Sequence, residues 1–321
     1  MDSEQLLARW RTRFSRVEDA IDTLNRALRL RANFPKAHHN LAVALYRKGD
    51  KENAIKHARK AIQLKADYAE AYFNLGIALF KTGKEQEGIA ALREGLKHMP
   101  DSPTGHLDLG YALYKEGDGE RAIDEYHRAL HFKPDDAEAH LNLGNSLCGK
   151  RDQEGCIAEY QIALCLRPDF CEAYVNIGSV LAENGDREGA IAEYRQALRN
   201  RPDCFDAHLR LANVLDQKKE TAAAVAEYRE AIRLRPGSGE AHNDLGVSLA
   251  ELGDTDGAIA EFREAIRFEK RLIRAHLNLG GLFYQRDDFQ AAIAEYRSAM
   301  ALEPDSWEAH IYLGVVLEAT R

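Results

Sequence analysis

The sequence lacks the features that mark a membrane-spanning, secreted or zinc-binding protein. No apolar run approaches the about 18 residues that a membrane span needs, and the first residues hold no apolar segment of a secretory signal. The five cysteines are odd in number and show no Cys-x-x-Cys spacing, which argues against a disulfide framework and a structural zinc site. We therefore predict reduced thiols, no metal, no membrane insertion and a cytoplasmic location.

Catalytic motifs are also lacking. The chain contains no G-x-x-x-x-G-K-[ST] phosphate loop, no H-E-x-x-H helix and no G-x-S-x-G turn. Its pI of 5.9 and net charge of -8 argue against a nucleic-acid partner. We therefore predict a protein without enzymatic activity, cofactor or bound metal.

What the sequence does contain is a period of 34 residues. A strict period of this length indicates one supersecondary unit copied head to tail. Six prolines follow it, with one beat missed at Lys270: Pro100, Pro134, Pro168, Pro202, Pro236 and Pro304. Small residues and an aromatic residue recur on the same beat. We predict nine repeats, 1–34, 35–68, 69–102, 103–136, 137–170, 171–204, 205–238, 239–272 and 273–306, followed by a terminal helix at 307–321.

Each repeat has two stretches of helical periodicity and no strand-like alternation. Between the stretches lies a turn, Gly-Asp in several repeats, as at Gly49-Asp50 and Gly185-Asp186. Glycine just past a helix end is a common cap because it adopts a positive φ at little cost. The proline ends the second helix because it has no N–H and clashes with the preceding turn.

These residues resemble the tetratricopeptide repeat over the full length of the chain. The resemblance rests on Leu-Gly pairs such as Leu143-Gly144, on alanines such as Ala190 and Ala197, on Tyr194 and on the prolines. It implies an all-α, right-handed α-solenoid of about nineteen helices forming one array over 1–321, with the first helices lining a concave groove. In this family the groove binds peptides, so the resemblance implies a peptide-binding scaffold.

Asparagine recurs at one groove position of the first helices. Asparagine is unfavourable inside helices because its side chain competes for backbone hydrogen bonds, yet it occupies this position at Asn40, Asn74, Asn142, Asn176 and Asn278. A row of carboxamides can pair with the backbone of an extended peptide. Alternatively the asparagines are copied by duplication, or bond the neighbouring helix.

The asparagine row and the Ala-Ile-Ala-Glu-Tyr-Arg runs are similar to the repeat region of the O-linked N-acetylglucosamine transferases, where such a ladder holds the substrate backbone. A clamp for C-terminal carboxylates, known in the same repeat family, is matched in part by Asn145, Asn176 and Arg210. Leu141 and Asp206 stand where that clamp has lysines. Arg210 could still hold a carboxylate bidentately.

A second candidate surface is a basic, aromatic strip in the first half of the chain. Residues 1–68 carry 15 Lys and Arg against 8 Asp and Glu, whereas the rest of the chain carries 29 against 44. An aromatic residue followed by a cation recurs three times at the groove: Tyr46-Arg47, Phe80-Lys81 and Tyr114-Lys115. This strip suits a partner with an acidic segment, although such pairs are also common in repeats of this type.

Histidine recurs near the start of the first helix, at His38, His106, His140, His208, His242, His276 and His310. Neighbouring repeats lie about 8–10 Å apart, too far for adjacent histidines to share a zinc ion. We interpret them as half-buried packing residues and expect weak destabilisation below about pH 6 as they become charged. Glutamates such as Glu227 and Glu261 stand beside arginines and are expected to form surface ion pairs.

The leading hypothesis is therefore a scaffold that binds an extended polypeptide segment, with no nucleic acid involved. One alternative is the substrate-recognition region of a larger enzyme, such as a glycosyltransferase or a protein kinase. Another is a self-assembling protein that pairs through 307–321, where Ile311 and Leu317 have no following helix to cover them.

Overall fold

The computed structural model describes the backbone of residues 3–320 and the side chains of residues 16–320. This part of the chain is all-α and contains eighteen helices and no strand. The helices are α1 (Ser3–Leu30), α2 (Pro35–Lys48), α3 (Lys51–Leu64), α4 (Ala69–Phe80), α5 (Glu85–His98), α6 (Pro103–Glu116), α7 (Gly119–Phe132), α8 (Ala137–Gly149), α9 (Gln153–Leu166), α10 (Cys171–Glu183), α11 (Arg187–Asn200), α12 (Phe205–Gln217), α13 (Thr221–Leu234), α14 (Gly239–Glu251), α15 (Thr255–Phe268), α16 (Ile273–Gln285), α17 (Phe289–Leu302) and α18 (Trp307–Ala319). The predicted helix-turn-helix repeats are thereby confirmed from residue 35 onwards.

The helices form two compact units, an N-terminal unit (Met1–Leu166) and a C-terminal unit (Arg167–Arg321). Within each unit every helix packs against the next one along the chain. The first helices of successive repeats also contact one another: α2, α4, α6 and α8 in the N-terminal unit, and the even-numbered helices α10 to α18 in the C-terminal unit. Each unit therefore presents a surface made of first helices, here called its groove face.

The Gly-Asp turns work by capping both helices that they join. Gly49 ends α2 with φ 93°, in the left-handed region. The side chain of Asp50 then accepts a hydrogen bond from the backbone N–H of Asn53 and so caps α3. Three repeats without this glycine place another residue at positive φ: Arg151, Lys219 and Asp287.

The first repeat departs from the prediction. The pattern predicts a turn near Ser15, but α1 continues from Ser3 to Leu30 as one helix of 28 residues. Ser15 and Arg16 stand where other repeats have the Gly-Asp turn, so no residue there favours the left-handed conformation that ends a helix. The described residues therefore contain eighteen helices and not about nineteen.

Small residues let the paired helices approach closely, as predicted. Ala190 and Ala197 of α11 are fully buried, and a Cβ on Gly144 of α8 would lie 2.6 Å from the Tyr160 ring. The repeated aromatic residue fills the remaining space, and Tyr194 is 1% exposed. The core is a chain of such contacts because each repeat buries its apolar side chains against its neighbours.

Candidate functional site

A large depression on a groove face lies at the end of the C-terminal unit. It has a volume of about 950 Å³ and lies among α14, α16 and α18, and we call it the C-terminal groove. Its walls carry both apolar and polar side chains, including Val247, Glu251, Arg274, Leu277, Asn278, Tyr284, Gln285, Ile311, Tyr312 and Val315. Ile311 and Val315 are 52% and 45% exposed. A cavity of this size holds several side chains of a ligand.

Asn278 is the predicted asparagine that lies in this groove. Its Nδ2 donates a hydrogen bond to Asn243 Oδ1 on the preceding first helix at 3.0 Å. Asn243 in turn donates to Asp244 Oδ1 at 3.0 Å. Burial raises the pKa of Asp244. The asparagine therefore joins two helices and forms part of a polar floor beneath apolar walls.

The other asparagines of the row occupy different surroundings. Asn74 Nδ2 lies 3.2 Å from His39 Nδ1 on the preceding first helix, which repeats the contact of Asn278. Asn40 is exposed, whereas Asn142 and Asn176 are half-buried. Bonding of the neighbouring helix thus explains the asparagine at two positions.

Asn145 has a packing partner. Its Oδ1 accepts a hydrogen bond from the buried Tyr160 hydroxyl at 2.8 Å, and Asn213 accepts one from Tyr228 at 2.6 Å. In the repeat 103–136 the corresponding residue is Tyr111, and the buried Tyr126 hydroxyl has no hydrogen-bond partner among the described residues.

The basic, aromatic strip of the N-terminal unit centres on Tyr111, a residue that the sequence analysis did not single out. Lys81 Nζ donates a hydrogen bond to the Tyr111 hydroxyl at 2.8 Å and lies 4.6 Å from the ring centroid. Lys115 Nζ lies 5.8 Å from the same ring. Phe80 is buried at 8% exposure and meets Tyr111 edge-on at 6.2 Å. Phe80 therefore packs under the strip. This differs from the expectation that its ring would face a ligand.

A small cavity adjoins this strip. It has a volume of about 170 Å³ and is lined by Tyr46, Asn74, Ile77, Asp108 and two alanines. Burial, and to a smaller degree the charge of Glu138, raises the pKa of Asp108 to about 7. The strip is thus basic at its exposed edge, where Arg47, Lys81 and Lys115 lie, and holds a carboxyl group in its depth.

Arg210 is exposed on α12. It makes no ion pair with any residue whose side chain the structure describes, and Asp206 is exposed one helical turn earlier. Burial raises the pKa of the Tyr194 hydroxyl, and the hydrogen bond with Ser179 and the nearby charge of Arg210 only partly oppose this rise.

The histidine row forms a repeated hydrogen-bonded bridge. His106 Nδ1 lies 2.6 Å from Glu125 Oε2, and the same pairing joins histidines and glutamates 19 residues apart in four further repeats: His140–Glu159, His208–Glu227, His242–Glu261 and His276–Glu295. Glu227 and Glu261 therefore pair with histidines, which corrects the expected surface pairs with arginines. In the repeat 35–68 the partner is a second histidine, and His38 lies 2.9 Å from His57.

The histidine Nε2 atoms lie near a backbone carbonyl at the end of the preceding repeat: that of Pro100 for His106, at 2.8 Å, and that of Pro236 for His242, at 3.0 Å. Burial lowers the pKa of His106, but the bonds to Glu125 and Pro100 outweigh it and raise the pKa. Over the described residues, no group of three or more His, Cys, Asp or Glu side chains is placed to hold a metal ion.

The cysteines are paired, which corrects the prediction of reduced thiols. Cys148 and Cys156 form a disulfide with their Cα atoms 5.3 Å apart, and Cys171 and Cys204 form a second with Cα atoms 6.5 Å apart. Cys165 is free and exposed. Helix pairing brings each couple together, since Cys148 and Cys156 face each other across the α8–α9 pair. No spacing motif is needed for this.

Sequence reasoning missed the apolar walls of the C-terminal groove. The groove positions of α16 and α18 carry Leu277, Tyr284, Ile311 and Val315. The signal was present as apolar residues at positions that the family places on its groove. Tyr296 fixes one wall, because Tyr312 packs on it with 5.6 Å between the ring centroids.

The tetratricopeptide repeat family matches most of the chain. Models described as tetratricopeptide repeat match residues 175–239, 220–270 and 274–321 and residues 69–102. A model described as TPR repeat matches residues 15–49, 44–83 and 110–150. The chain belongs to the tetratricopeptide repeat family.

Solved structures of low sequence identity share this fold. A chain of the APC/C hetero-tetramer Cut9–Hcn1 aligns over 87% of this chain and 55% of its own length, with a TM-score of 0.61 and 14% identity. The chain thus spans about half of that relative. Pseudomonas aeruginosa pilF aligns over 65% and 96%, with a TM-score of 0.56 and 20% identity. The C-terminal part of a TPR repeat-containing protein from Cytophaga hutchinsonii aligns over 75% and 99%, with a TM-score of 0.56 and 18% identity.

No curated protein matches the chain in sequence. The likeness to the repeat region of the O-linked N-acetylglucosamine transferases therefore stays a prediction. None of the described helices combines the length and the apolar character that crossing a bilayer requires.

Proposed function

We propose that this protein is a non-enzymatic scaffold that binds an extended polypeptide segment of a partner protein on its groove faces. The observation that carries the proposal is the C-terminal groove, with a volume of about 950 Å³ and exposed apolar side chains on its walls. Monomeric proteins rarely expose such patches unless they bind something there. Extended peptides fit a surface of this shape because their alternate side chains can enter it.

The walls and floor of the C-terminal groove favour a particular ligand. Ile311 and Val315 offer apolar contact, and Tyr312 adds an aromatic ring with a polar end. Asn278 retains its Oδ1 as an acceptor while its Nδ2 bonds Asn243. Arg274 on α16 and Glu251 on α14 add one positive and one negative charge to the walls. We infer that this groove binds a segment with aliphatic or aromatic side chains, whose backbone N–H bonds to Asn278.

The remaining predicted residues form the rest of the proposed binding surface. Tyr46, Arg47, Lys81, Tyr114 and Lys115 would meet an acidic part of the partner in the N-terminal unit. Asn40, Asn74 and Asn142 would contact the backbone of that part, as Asn176 and Arg210 would on the C-terminal unit, where Arg210 could hold a carboxylate.

A peptide screen tests the proposal. A library of extended peptides is bound to the full chain, and the tightest binder is measured by titration calorimetry against Ile311→Glu and Val315→Glu. We expect either charge to weaken binding at least tenfold, because it places an unpaired carboxylate against apolar ligand atoms. Leu252→Glu is the matched control, since Leu252 is 52% exposed and does not line the groove. If all three variants bind the peptide as tightly as the wild-type chain does, the C-terminal groove is not the binding site.

The asparagines have their own test. Asn142→Ala and Asn176→Ala together should weaken binding of a backbone-paired peptide while the helix content stays unchanged.

Light scattering coupled to size exclusion, over a range of concentrations, tests self-association through 307–321, which we propose as a second use of the same end. A constant mass of 36.0 kDa leaves the grooves to peptides.

A further inference from the structure

A second large depression lies away from the groove residues, between two second helices of the N-terminal unit. It lies between α5 and α7, is floored by the start of α6, and has a volume of about 790 Å³. We call it the outer groove. It shares no lining residue with the basic, aromatic strip or with the small cavity near Asp108.

The floor of the outer groove is rigid and partly aromatic. His106 and Glu125 form the buried pair described above, and both side chains are at most 12% exposed. Phe132 stacks on the His106 ring, with 5.9 Å between centroids and 17° between planes. Yet Phe132 is 44% exposed. An exposed ring held in place by a buried ion pair is a ready contact for an apolar side chain of a partner.

The rim of the outer groove is basic. Its charged and titratable residues besides His106 are Arg93, Lys97, His127, Arg128 and His131, with Glu125 as the one carboxylate of the lining. Glu125 already accepts hydrogen bonds from His106 and, at 2.9 Å, from Arg128. Lys97 pairs with Glu94 at the edge, at 2.6 Å. Arg93 is exposed and forms no ion pair with any residue of the described part of the chain.

Two later repeats carry a different arrangement at the place of Arg128. Glutamates Glu230 and Glu264 stand at the place of Arg128, and each pairs with an arginine three residues further on, Arg233 and Arg267, at 2.7 Å and 2.5 Å. Those second helices neutralise their own cations. Helix α7 carries His127, Arg128 and His131 in this region, and Glu125, the carboxylate that pairs with Arg128, also bonds His106. Among the lining residues, the cations Arg93, Lys97 and Arg128 outnumber the single carboxylate Glu125, although the whole chain has a net charge of -8.

We propose that the outer groove is an interaction surface for an acidic peptide segment of a partner protein. Carboxylates of the segment would pair with Arg93 and Arg128, and an aromatic or aliphatic side chain among them would pack on Phe132. Arginine and aromatic residues are the types enriched at protein interfaces, and charge complementarity selects the acidic partner. This surface lies beyond the groove faces of the proposed function, so one chain could hold two segments at once.

The test uses a fluorescent peptide of alternating Asp and Glu with one central Phe, and measures its anisotropy with the full chain. We expect Arg128→Glu, which introduces the residue of α13 and α15, to weaken binding at least tenfold. Arg93→Gln, at an exposed site, should weaken it about threefold. Phe132→Ala should also weaken binding about threefold. This loss should depend less on salt than the loss in the arginine variants, because an apolar contact is removed. Circular dichroism confirms that each variant is folded.

Two controls separate this surface from the others. Arg297→Glu makes the same charge change on an exposed second-helix residue of α17 and should leave the affinity unchanged. Lys81→Glu with Lys115→Glu disables the basic, aromatic strip of the proposed function, and binding to the outer groove should persist. If only the strip variants abolish binding, the outer groove is not the site.

Competition identifies the occupant. An all-Lys peptide with the same Phe should not compete, and inorganic phosphate should compete only weakly. If phosphate displaces the peptide as well as unlabelled peptide does, the groove binds small anions and the peptide assignment is wrong. Equal binding of the acidic peptide to wild type, Arg93→Gln and Arg128→Glu would overturn the proposal.

Discussion

His106 of α6 links α7 to the segment that follows α5 through one ring. Its Nδ1 lies 2.6 Å from Glu125 on α7, and its Nε2 lies 2.8 Å from the Pro100 carbonyl at the end of the preceding repeat. Both neighbours are acceptors, so the ring satisfies both only when each nitrogen carries a proton. This contact recurs along the array, and it reverses the pH response that the sequence suggested.

The first prediction concerns pH and stability. Burial lowers the pKa values of His106 and His208, but the hydrogen bonds with glutamates and backbone carbonyls outweigh burial and raise them. For His242 the hydrogen bond with Glu261 is the largest cause and also raises the pKa. A raised folded-state pKa contributes stability that is complete below the unfolded value of about 6.5 and is lost as pH rises through the folded value. We expect a higher free energy of unfolding in urea at about pH 6 than at about pH 8.5. His106→Gln should reduce this difference, whereas lower stability at pH 6 would contradict the assignment.

The second prediction uses the repeat in which the pair is broken. His38 and His57 lie 2.9 Å apart, and burial, followed by the charge of His38, lowers the pKa of His57. His57→Glu recreates the pair of the other repeats and should stabilise the chain by about 1 kcal/mol at pH 6. Thermal unfolding measures it. His57→Gln is the control, and an equal gain there would show that charge is not the cause.

The third prediction concerns Asp108. Its pKa of about 7 lies above the unfolded value near 4, so stability is lost as pH rises from about 4 to about 7 and stays lower above that. Asp108→Asn should therefore stabilise the protein at about pH 8.5, by up to several kcal/mol at about 1.4 kcal/mol per pKa unit, and by about half as much at about pH 5.5. A pH-independent change in the urea midpoint would refute the burial of this charge.

The fourth prediction tests the close approach of helices. Ala190 is fully buried between α10 and α11, so Ala190→Leu overpacks the contact and should cost about 1–3 kcal/mol. Ala223→Leu is the matched control, since Ala223 is exposed on α13 and leucine is a good helix former. Equal melting temperatures for the two variants would show that the repeat register is wrong.

The fifth prediction concerns the cysteines. Alkylation of the unfolded, unreduced protein should label Cys165 alone, and labelling after reduction should reach all five cysteines. Intact-mass spectrometry counts the labels. Five labels without reduction would restore the reduced thiols that the spacing suggested, and would support the cytoplasmic location that remains a prediction.

The repeat architecture can be predicted from the sequence alone, because the 34-residue period, the helical spacing and the turn residues are local signals that recur along the chain. The sequence also placed the buried Tyr194, the close contact at Ala190 and the helix ends before each proline. These features depend on neighbours within a few residues or one repeat, so a periodic pattern records them.

The pairing of side chains, in contrast, depends on how the helices pack and could not be predicted from the period. His106 meets Glu125 and Phe132 because α6 and α7 pack at one particular rotation. The packing of α8 on α9 likewise joins Cys148 to Cys156. The two large depressions arise in the same way, from faces of helices that belong to different repeats. A period shows which residues occupy equivalent positions in the repeats. Which of these residues contact a neighbouring helix depends on the size and orientation of their side chains, and a period does not record that.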